Sequence, residues 1–207
     1  MNKLRSLISQ NRLFFSVYLA FALIGLGIIL YYEKATGFKI LNPYHHLGLN
    51  LFFSLFTYLG DGAFAMSVGL IFLLFKQRRI CLLVWSSYIL SGLIAQALKY
   101  FITELRPGSY PGLSDYQYFI QDVTLRGSQA SFPSGHTTTA FALAAVLAFW
   151  YKDKRISILL LLLAVMVGYS RIYTGNHFMI DVLGGSIIGI ASAIVCWLAL
   201  VKKTWLV

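Results

Sequence analysis

Six apolar runs divide the chain, and short polar or basic segments separate them. The runs cover about 13–32, 58–75, 80–98, 136–151, 156–173 and 178–201. Their lengths are close to the roughly 18 to 20 apolar residues that carry a helix across a bilayer. The pattern predicts an all-α protein, in which residues 1–207 form one domain built as a bundle of six transmembrane helices.

Two of the predicted elements have alternatives. The second run is irregular because Asp61–Gly62 interrupts it, and residues 43–56 before it are typical of an amphipathic piece at the membrane interface. The first run follows a basic N-terminal segment, as in a signal peptide. It is long for such a segment and ends in Leu-Tyr-Tyr-Glu-Lys without a small-residue cleavage site. We therefore expect an uncleaved first transmembrane helix.

Composition supports a membrane protein. Hydrophobic residues make up 58% of the chain and charged residues 12%, against about 25% charged residues in soluble domains. A net charge of +10 would suggest nucleic acid in a soluble protein, but cytoplasmic loops of membrane proteins also collect lysine and arginine. We expect no nucleic-acid partner. Cys81 and Cys196 both lie in apolar runs and show no disulfide or metal-binding spacing.

The distribution of basic residues predicts the orientation. If the N-terminus is cytoplasmic, the inner segments 1–12, 76–79, 152–155 and 202–207 hold 11 of the 17 basic residues. The positive-inside rule then places both termini in the cytoplasm. The long polar loop 100–132 faces outward. For a bacterial protein, this means the inner membrane, with the outer loops in the periplasm.

Three polar clusters lie at helix ends on that outer face, within residues 99–181. They are Lys99, Arg106 and Pro107; Pro133, Ser134, Gly135 and His136; and Ser170, Arg171, His177 and Asp181. Singly, each has an ordinary explanation, such as a lysine at a helix end, a loop turn, a helix start or an interfacial ion pair. Together on one face they indicate a functional site, since ionisable residues facing a helix bundle are usually functional.

The residue types suit phosphate chemistry. Lys99, Arg106 and Arg171 offer three positive charges, and the planar fork of arginine matches phosphate oxygens. Ser134 and Gly135 open a helix, whose free N–H groups bind anions. Phosphoryl transfer depends mainly on positioning and charge stabilisation, so this cradle need not use a metal.

Two histidines supply the remaining chemistry. His177 and Asp181 are spaced i, i+4, and they share a helix face if the last helix begins early enough. The carboxylate would then fix the ring tautomer and leave the other nitrogen free to attack. His136 would protonate the leaving alkoxide.

The three clusters resemble the signature motifs of the type 2 phosphatidic acid phosphatase (PAP2) superfamily. They read K-x6-R-P, P-S-G-H and S-R-x5-H-x3-D, with every position of the pattern present. The resemblance covers roughly 58–201. It implies a phosphohistidine intermediate on His177, which Asp181 orients, with His136 as acid and later as base. It also implies a metal-free, cofactor-free site whose phosphate-binding residues are Lys99, Arg106, Ser134, Gly135 and Arg171.

The resemblance further implies a hydrolase for a lipid phosphomonoester or pyrophosphate. Candidate substrates are undecaprenyl pyrophosphate, phosphatidylglycerol phosphate, phosphatidic acid and the phosphates of lipid A. The superfamily also contains soluble vanadate-dependent haloperoxidases, and the six apolar runs argue against that branch. Arg126 and the tyrosines of the outer loop are candidates for the headgroup pocket, although such tyrosines are equally typical of a membrane interface. The sequence carries no indication of oligomeric state.

Three alternatives stay open from the residues. A phosphotransferase would use the same phosphohistidine and pass its group to another lipid. A small transporter would need ionisable residues in mid-span or paired broken helices, and the sequence shows neither. A zinc hydrolase would take His177, Asp181 and His136 as ligands, but the three neighbouring cations would repel the metal.

Overall fold

Helices form all the regular elements of the part of the chain that this computed structural model describes, residues 3–120, 123–124 and 129–200. They are α1 (Lys3–Gln10), α2 (Arg12–Tyr31), α3 (Lys34–Leu41), α4 (Leu47–Phe56), α5 (Gly62–Leu74), α6 (Arg78–Phe101), α7 (Gly135–Tyr151), α8 (Lys154–Tyr173) and α9 (Met179–Leu200), with short 3₁₀ helices at Thr57–Gly60, Pro107–Ser109 and Pro111–Leu113. The predicted all-α class is confirmed. Arg126, Lys202 and Lys203, which entered the sequence predictions, lie outside the described residues.

Each predicted apolar run contains a helix, but not every helix is long enough to be a span on its own. Among the described residues, α2, α6, α8 and α9 are long and apolar enough to cross a membrane. A fifth candidate is the pair of Leu47–Gly60 and α5, which is bent by 54°. The fourth run forms α7, whose 17 residues make a helix about 25 Å long.

The bend in the second run has a local cause at Asp61. Its extended backbone ends the preceding 3₁₀ turn, and its Oδ1 accepts a hydrogen bond of 2.8 Å from the backbone N–H of Ala63. Aspartate is among the best N-cap residues because it satisfies a free N–H of the first helical turn. The segment 43–56, predicted as an interfacial piece, contains α4 and runs directly into this bend.

The most buried helix is α7, which packs against α6, α8 and α9. Its contact with α9 is unusually close. A Cβ added at Gly189 would lie 2.5 Å from the carbonyl oxygen of Thr138, and one added at Gly185 would lie 2.7 Å from that of Ser134. The absence of a side chain at these glycines lets the two backbones touch, and this contact brings the start of α7 beside the start of α9.

The loop 100–132 is closed by hydrogen bonds between its two ends. Glu104 N donates to Gln129 O at 2.9 Å and Ser131 N donates to Glu104 O at 3.0 Å, so the loop returns beside its own beginning. Short α3, which the hydrophobic pattern did not predict, lies beside the loop. Its Lys39 pairs with Asp115 at 3.1 Å.

Candidate active site

Direct contacts join the three predicted clusters. Arg106 of the first cluster contacts His177 of the third. The N–H of Ser134 in the second cluster donates to the carbonyl of Asp181 at 3.0 Å. A Cβ placed on Gly135 would lie 3.9 Å from Lys99 Nζ. One end of the bundle therefore brings together the ends of α6 and α8, the starts of α7 and α9, and the loop 100–132.

His177 lies at the centre of these contacts and is 2% exposed. Its Nε2 is 3.2 Å from a terminal nitrogen of Arg106, and its Nδ1 is 3.4 Å from Asp181 Oδ2. A guanidinium can only donate, so Nε2 is the acceptor in this contact. The ring proton is therefore on Nδ1, on the side that faces Asp181.

The His177–Asp181 pair does not form as a shared helix face. Since α9 begins at Met179, His177 precedes the helix, and the prediction that depended on an early start is corrected. The connection between α8 and α9 is closed instead by Asp181, whose Oδ2 accepts a 2.8 Å hydrogen bond from the N–H of Phe178. The aspartate thus holds the backbone next to His177 as well as facing its ring.

Ser131 is a further partner of Asp181 that the motifs do not contain. Its hydroxyl donates to Asp181 Oδ2 at 2.5 Å, and it is completely buried. Among the described residues, Asp181 Oδ1 has no hydrogen-bond partner. No sequence pattern indicated Ser131, because it lies in the polar loop and 50 positions from Asp181.

The two arginines are buried and held in place. Arg106 is 6% exposed, and its terminal nitrogens donate to the carbonyls of Asn176 and Ala130, both at 3.1 Å. Arg171 is 7% exposed and donates to Thr57 Oγ1 at 2.9 Å. Thr57 belongs to the 3₁₀ turn before α5 and was not predicted as part of the site. Among the described residues, neither guanidinium Nε has a partner.

The second cluster starts α7. Ser134 is the N-cap, and its Oγ accepts from Thr137 N at 3.4 Å and from Thr137 Oγ1 at 2.8 Å. These contacts leave the Ser134 hydroxyl proton free to donate. His136 Nε2 lies 3.9 Å from Asp61 Oδ2.

Burial sets the charge state of His177. Removal from water lowers the pKa of His177 to about 3, and the nearby Asp181 carboxylate opposes this shift without reversing it. Burial also lowers the pKa of Arg106, with Asp181 again acting in the opposite direction. His177 is therefore neutral at neutral pH, which is the state that can act as a nucleophile.

Two cavities open onto this region. A groove of about 360 Å³ is lined mainly by apolar side chains of α2, α3 and α9, and Asp181 forms part of its wall. Its other charged residues are Glu33, Lys34 and Glu104, of which Lys34 and Glu104 pair at 2.7 Å. A smaller cleft of about 140 Å³ is lined by Asp61, Lys99 and His136, among others. Across residues 3–120, 123–124 and 129–200, no group of three or more His, Cys, Asp or Glu could hold a metal ion.

Comparison with known proteins connects this geometry to named relatives. A family model described as the PAP2 superfamily matches residues 78–205. A lipid A 4'-phosphatase from Porphyromonas gingivalis is 32% identical over 132 residues, covering 60% of this chain and 55% of the relative. The undecaprenyl-diphosphatase BcrC from Bacillus subtilis is 29% identical over 101 residues, covering 49% and 50%. The chain spans about half the length of these curated relatives.

Solved structures share the fold. LpxE from Aquifex aeolicus has a TM-score of 0.67 and 30% identity, over 81% of this chain and 97% of that one. A PAP2-type phosphatidylglycerolphosphate phosphatase from Bacillus subtilis has a TM-score of 0.66 and 23% identity, over 93% and 98% of the two chains. The helix bundle therefore has a fold that is known from solved structures.

Proposed function

The chain belongs to the PAP2 superfamily, and we propose that it is a membrane phosphatase that removes phosphate from a lipid through a phosphohistidine on His177. The observation that carries this proposal is the state of the His177 ring. The ring is buried and neutral, its proton faces Asp181, and its Nε2 lone pair points toward Arg106. A phosphoryl group bound by the arginines would lie beside that lone pair.

The proposed reaction has two steps. Nε2 of His177 attacks phosphorus, the bond from phosphorus to the ester oxygen breaks, and that oxygen takes the bond electrons and a proton from His136. Neutral His136 then accepts a proton from water as its oxygen attacks the phosphohistidine, and the phosphorus–nitrogen bond electrons return to Nε2. The products are the free alcohol, or a lipid monophosphate from a diphosphate substrate, and inorganic phosphate.

The phosphate would be held by the residues predicted from the motifs. Arg106 and Arg171 keep their guanidinium groups near His177 and His136 through contacts with the loop and with Thr57. Lys99 lies beside Gly135 at the N-terminus of α7, where free N–H groups favour an anion. The negative charge of the transferring group can be stabilised by these residues, and the proposed chemistry uses no metal.

A lipid substrate is supported by the apolar groove. It lies between α2, α3 and the start of α9, and Asp181 joins its wall. A hydrocarbon chain in this groove would place its headgroup beside His177. The names of the relatives suggest lipid A, undecaprenyl diphosphate or phosphatidylglycerol phosphate as the substrate.

The proposed topology has six spans and both termini in the cytoplasm. The bent pair of α4 and α5 would form one span and α7 another. The basic turns at 76–79 and 152–155 join helices at the ends opposite the site. By the positive-inside rule these turns are cytoplasmic, so the site would open to the periplasm of a bacterial inner membrane.

A phosphate-release panel tests the proposed function. Purified protein in detergent would be assayed with undecaprenyl pyrophosphate, phosphatidylglycerol phosphate, phosphatidic acid and lipid A, each with and without chelator. We expect His177→Ala to lose at least about 10³-fold and His136→Ala at least about 10²-fold in kcat/KM. His46→Asn is a matched control, because His46 caps α4 outside the site and asparagine also caps.

Three outcomes would contradict parts of this proposal. Near-normal phosphate release by His177→Ala would remove its role as nucleophile. Activity lost with chelator and restored by zinc would indicate a metal hydrolase. Transfer of the phosphoryl group to an added acceptor lipid, with no free phosphate, would identify a phosphotransferase.

A further inference from the structure

Asp61 lies outside the three motifs but beside one of their histidines. Its Oδ2 is 3.9 Å from His136 Nε2, and both residues line the cleft of about 140 Å³ that also contains Lys99 and Gly135. From the sequence, Asp61 was only an interruption in an apolar run. The fold thus places a carboxylate beside the proposed acid, as Asp181 lies beside the proposed nucleophile.

The backbone holds Asp61 in this position. Its Oδ1 accepts from Ala63 N as the N-cap of α5, so Oδ2 is the oxygen that faces His136. The preceding residue, Gly60, packs so tightly that an added Cβ would lie 2.7 Å from the carbonyl oxygen of His136. The starts of α5 and α7 are therefore in contact, and the distance between the two side chains follows from that contact.

His136 otherwise has mainly cationic neighbours. The titratable and charged groups around it are Asp61 from the N-cap of α5, Tyr88 and Lys99 from α6, Arg106 from the loop and Arg171 from α8. Three cations disfavour a positively charged imidazolium, whereas an acid catalyst must carry that proton when the leaving oxygen departs. Within the described residues, Asp61 is the carboxylate within 4 Å of the ring.

We propose that Asp61 is a positioning residue that favours the protonated form of His136, which the departure of a basic leaving group requires. This inference rests on the function proposed above. With the Nε2 proton facing Asp61, the other ring nitrogen, Nδ1, gives its proton to the ester oxygen as the bond to phosphorus breaks. The electrons of that bond stay on the oxygen, so the alcohol leaves neutral and His136 keeps its Nε2 proton.

Two substrates with different leaving groups can distinguish a role of Asp61 in proton donation from a merely structural one. An alkoxide is strongly basic and needs a proton to leave, whereas p-nitrophenolate is a stable anion and does not. The parameter kcat/KM covers only the steps up to release of the alcohol. A defect in proton donation should therefore lower kcat/KM for decyl phosphate and spare p-nitrophenyl phosphate.

The test compares Asp61→Asn with wild type on these two substrates from pH 5 to pH 9. Asparagine keeps the N-cap and removes the charge. We expect kcat/KM for decyl phosphate to fall about 10-fold at pH 7.5, because a unit charge about 4 Å away in an open cleft is lost. The change for p-nitrophenyl phosphate should be less than about 2-fold.

The pH dependence and a second background strengthen the test. In Asp61→Asn, the alkaline limb of the kcat/KM profile for decyl phosphate should move to lower pH. The difference in kcat/KM from wild type should therefore be smaller at pH 5, where bulk solvent supplies the proton. In a His136→Ala background, Asp61→Asn should have no further effect. Asp153→Asn is the matched control, because Asp153 also caps a helix, α8, through its Oδ1 and lies outside the site.

The possible failures are distinguishable. An equal loss on both substrates, or no loss on either, would overturn the role of Asp61 while leaving the phosphatase in place. A wild-type chain that releases phosphate from neither decyl phosphate nor any lipid of the panel would instead contradict the proposed function itself.

Discussion

At the scale of single residues, the tautomer of His177 follows from two contacts, one with a hydrogen-bond donor and one with a carboxylate. Arg106 can only donate, so it identifies Nε2 as the side with the lone pair. Asp181 faces Nδ1, and its own position depends on hydrogen bonds from Ser131 and the N–H of Phe178. Burial keeps the ring neutral, because it lowers the pKa of His177 more than the Asp181 carboxylate raises it.

Replacing Ser131 tests how far Asp181 depends on this hydroxyl. In Ser131→Ala, Oδ2 loses its shortest hydrogen bond. We expect a loss of about 1–3 kcal/mol in unfolding free energy and about a 10-fold fall in kcat/KM, since His177 is less firmly oriented. Thermal unfolding in detergent and phosphate release measure the two effects. Ser87→Ala is the control, because the buried Ser87 hydroxyl has no partner among the described residues, and an equal effect there would contradict this prediction.

The depressed pKa of His177 predicts acid sensitivity. The pKa of His177 is about 3 in the folded protein and about 6.5 in an unfolded chain. Between these values the unfolded chain binds more protons, so stability is lost as pH falls through this window. At pH 5 the cost is about 2 kcal/mol relative to neutral pH. The apparent unfolding temperature of wild type should drop further from pH 7 to pH 5 than that of His177→Asn, and parallel drops would contradict this.

At the scale of elements, the contact between α7 and α9 positions the proposed catalytic residues. His136 is in the first turn of α7 and Asp181 in the first turn of α9. The two backbones touch at Gly185 and Gly189, where an added Cβ would clash with backbone atoms. Backbone cannot move aside as a flexible side chain can, so the helices would have to separate.

Gly189→Ala should therefore destabilise the protein by about 1–3 kcal/mol or more. Activity should also fall, because separating the two helices moves the start of α7 from the start of α9. The matched control is Gly27→Ala in α2, where an added Cβ meets nothing within 4 Å and a gain of up to about 1 kcal/mol is expected from helix propensity. The measurements are thermal unfolding and kcat/KM of both variants. A Gly189→Ala variant with unchanged stability and activity would contradict the close-packing explanation.

At the scale of the whole molecule, the bundle places a polar site at one end and an apolar groove beside it. The groove uses α2 and α3, which precede the residues matched by the family model. Because Asp181 belongs both to the site and to the groove wall, the proposed lipid substrate would reach His177 while its hydrocarbon chain stays in apolar surroundings.

Filling the groove should weaken the binding of lipid substrates and leave water-soluble substrates little affected. Gly37 lines the groove, and a Cβ there would make ordinary contacts of 3.6 Å with Ile28 and Tyr32. In Gly37→Leu the longer side chain would occupy groove volume. We expect KM for a long-chain lipid phosphate to rise about 10-fold, with p-nitrophenyl phosphate little changed. Gly27→Leu, on an open helix surface, is the control, and equal losses on both substrates would contradict the role of the groove.

Sequence reasoning predicted the helical class and three polar clusters, and the structure brings these clusters together. It failed where contacts depend on distant segments. Thr57 and Arg171 are 114 positions apart, and Asp61 and His136 are joined by the packing of α5 on α7. His177 also precedes α9 rather than lying on it, because the hydrogen bond from the N–H of Phe178 to Asp181 closes the connection between α8 and α9.

By itself, the sequence determined what depends on local pattern and residue type. These properties are the apolar helices, the basic turns that predict their orientation, and the cations and histidines suited to phosphate. Only the tertiary structure decided which atoms meet. The tautomer of His177 follows from the approach of Arg106, and the second carboxylate of the site follows from Asp61 lying beside His136. Such contacts depend on how closely helices pack, and packing is a property of the whole bundle rather than of any single segment.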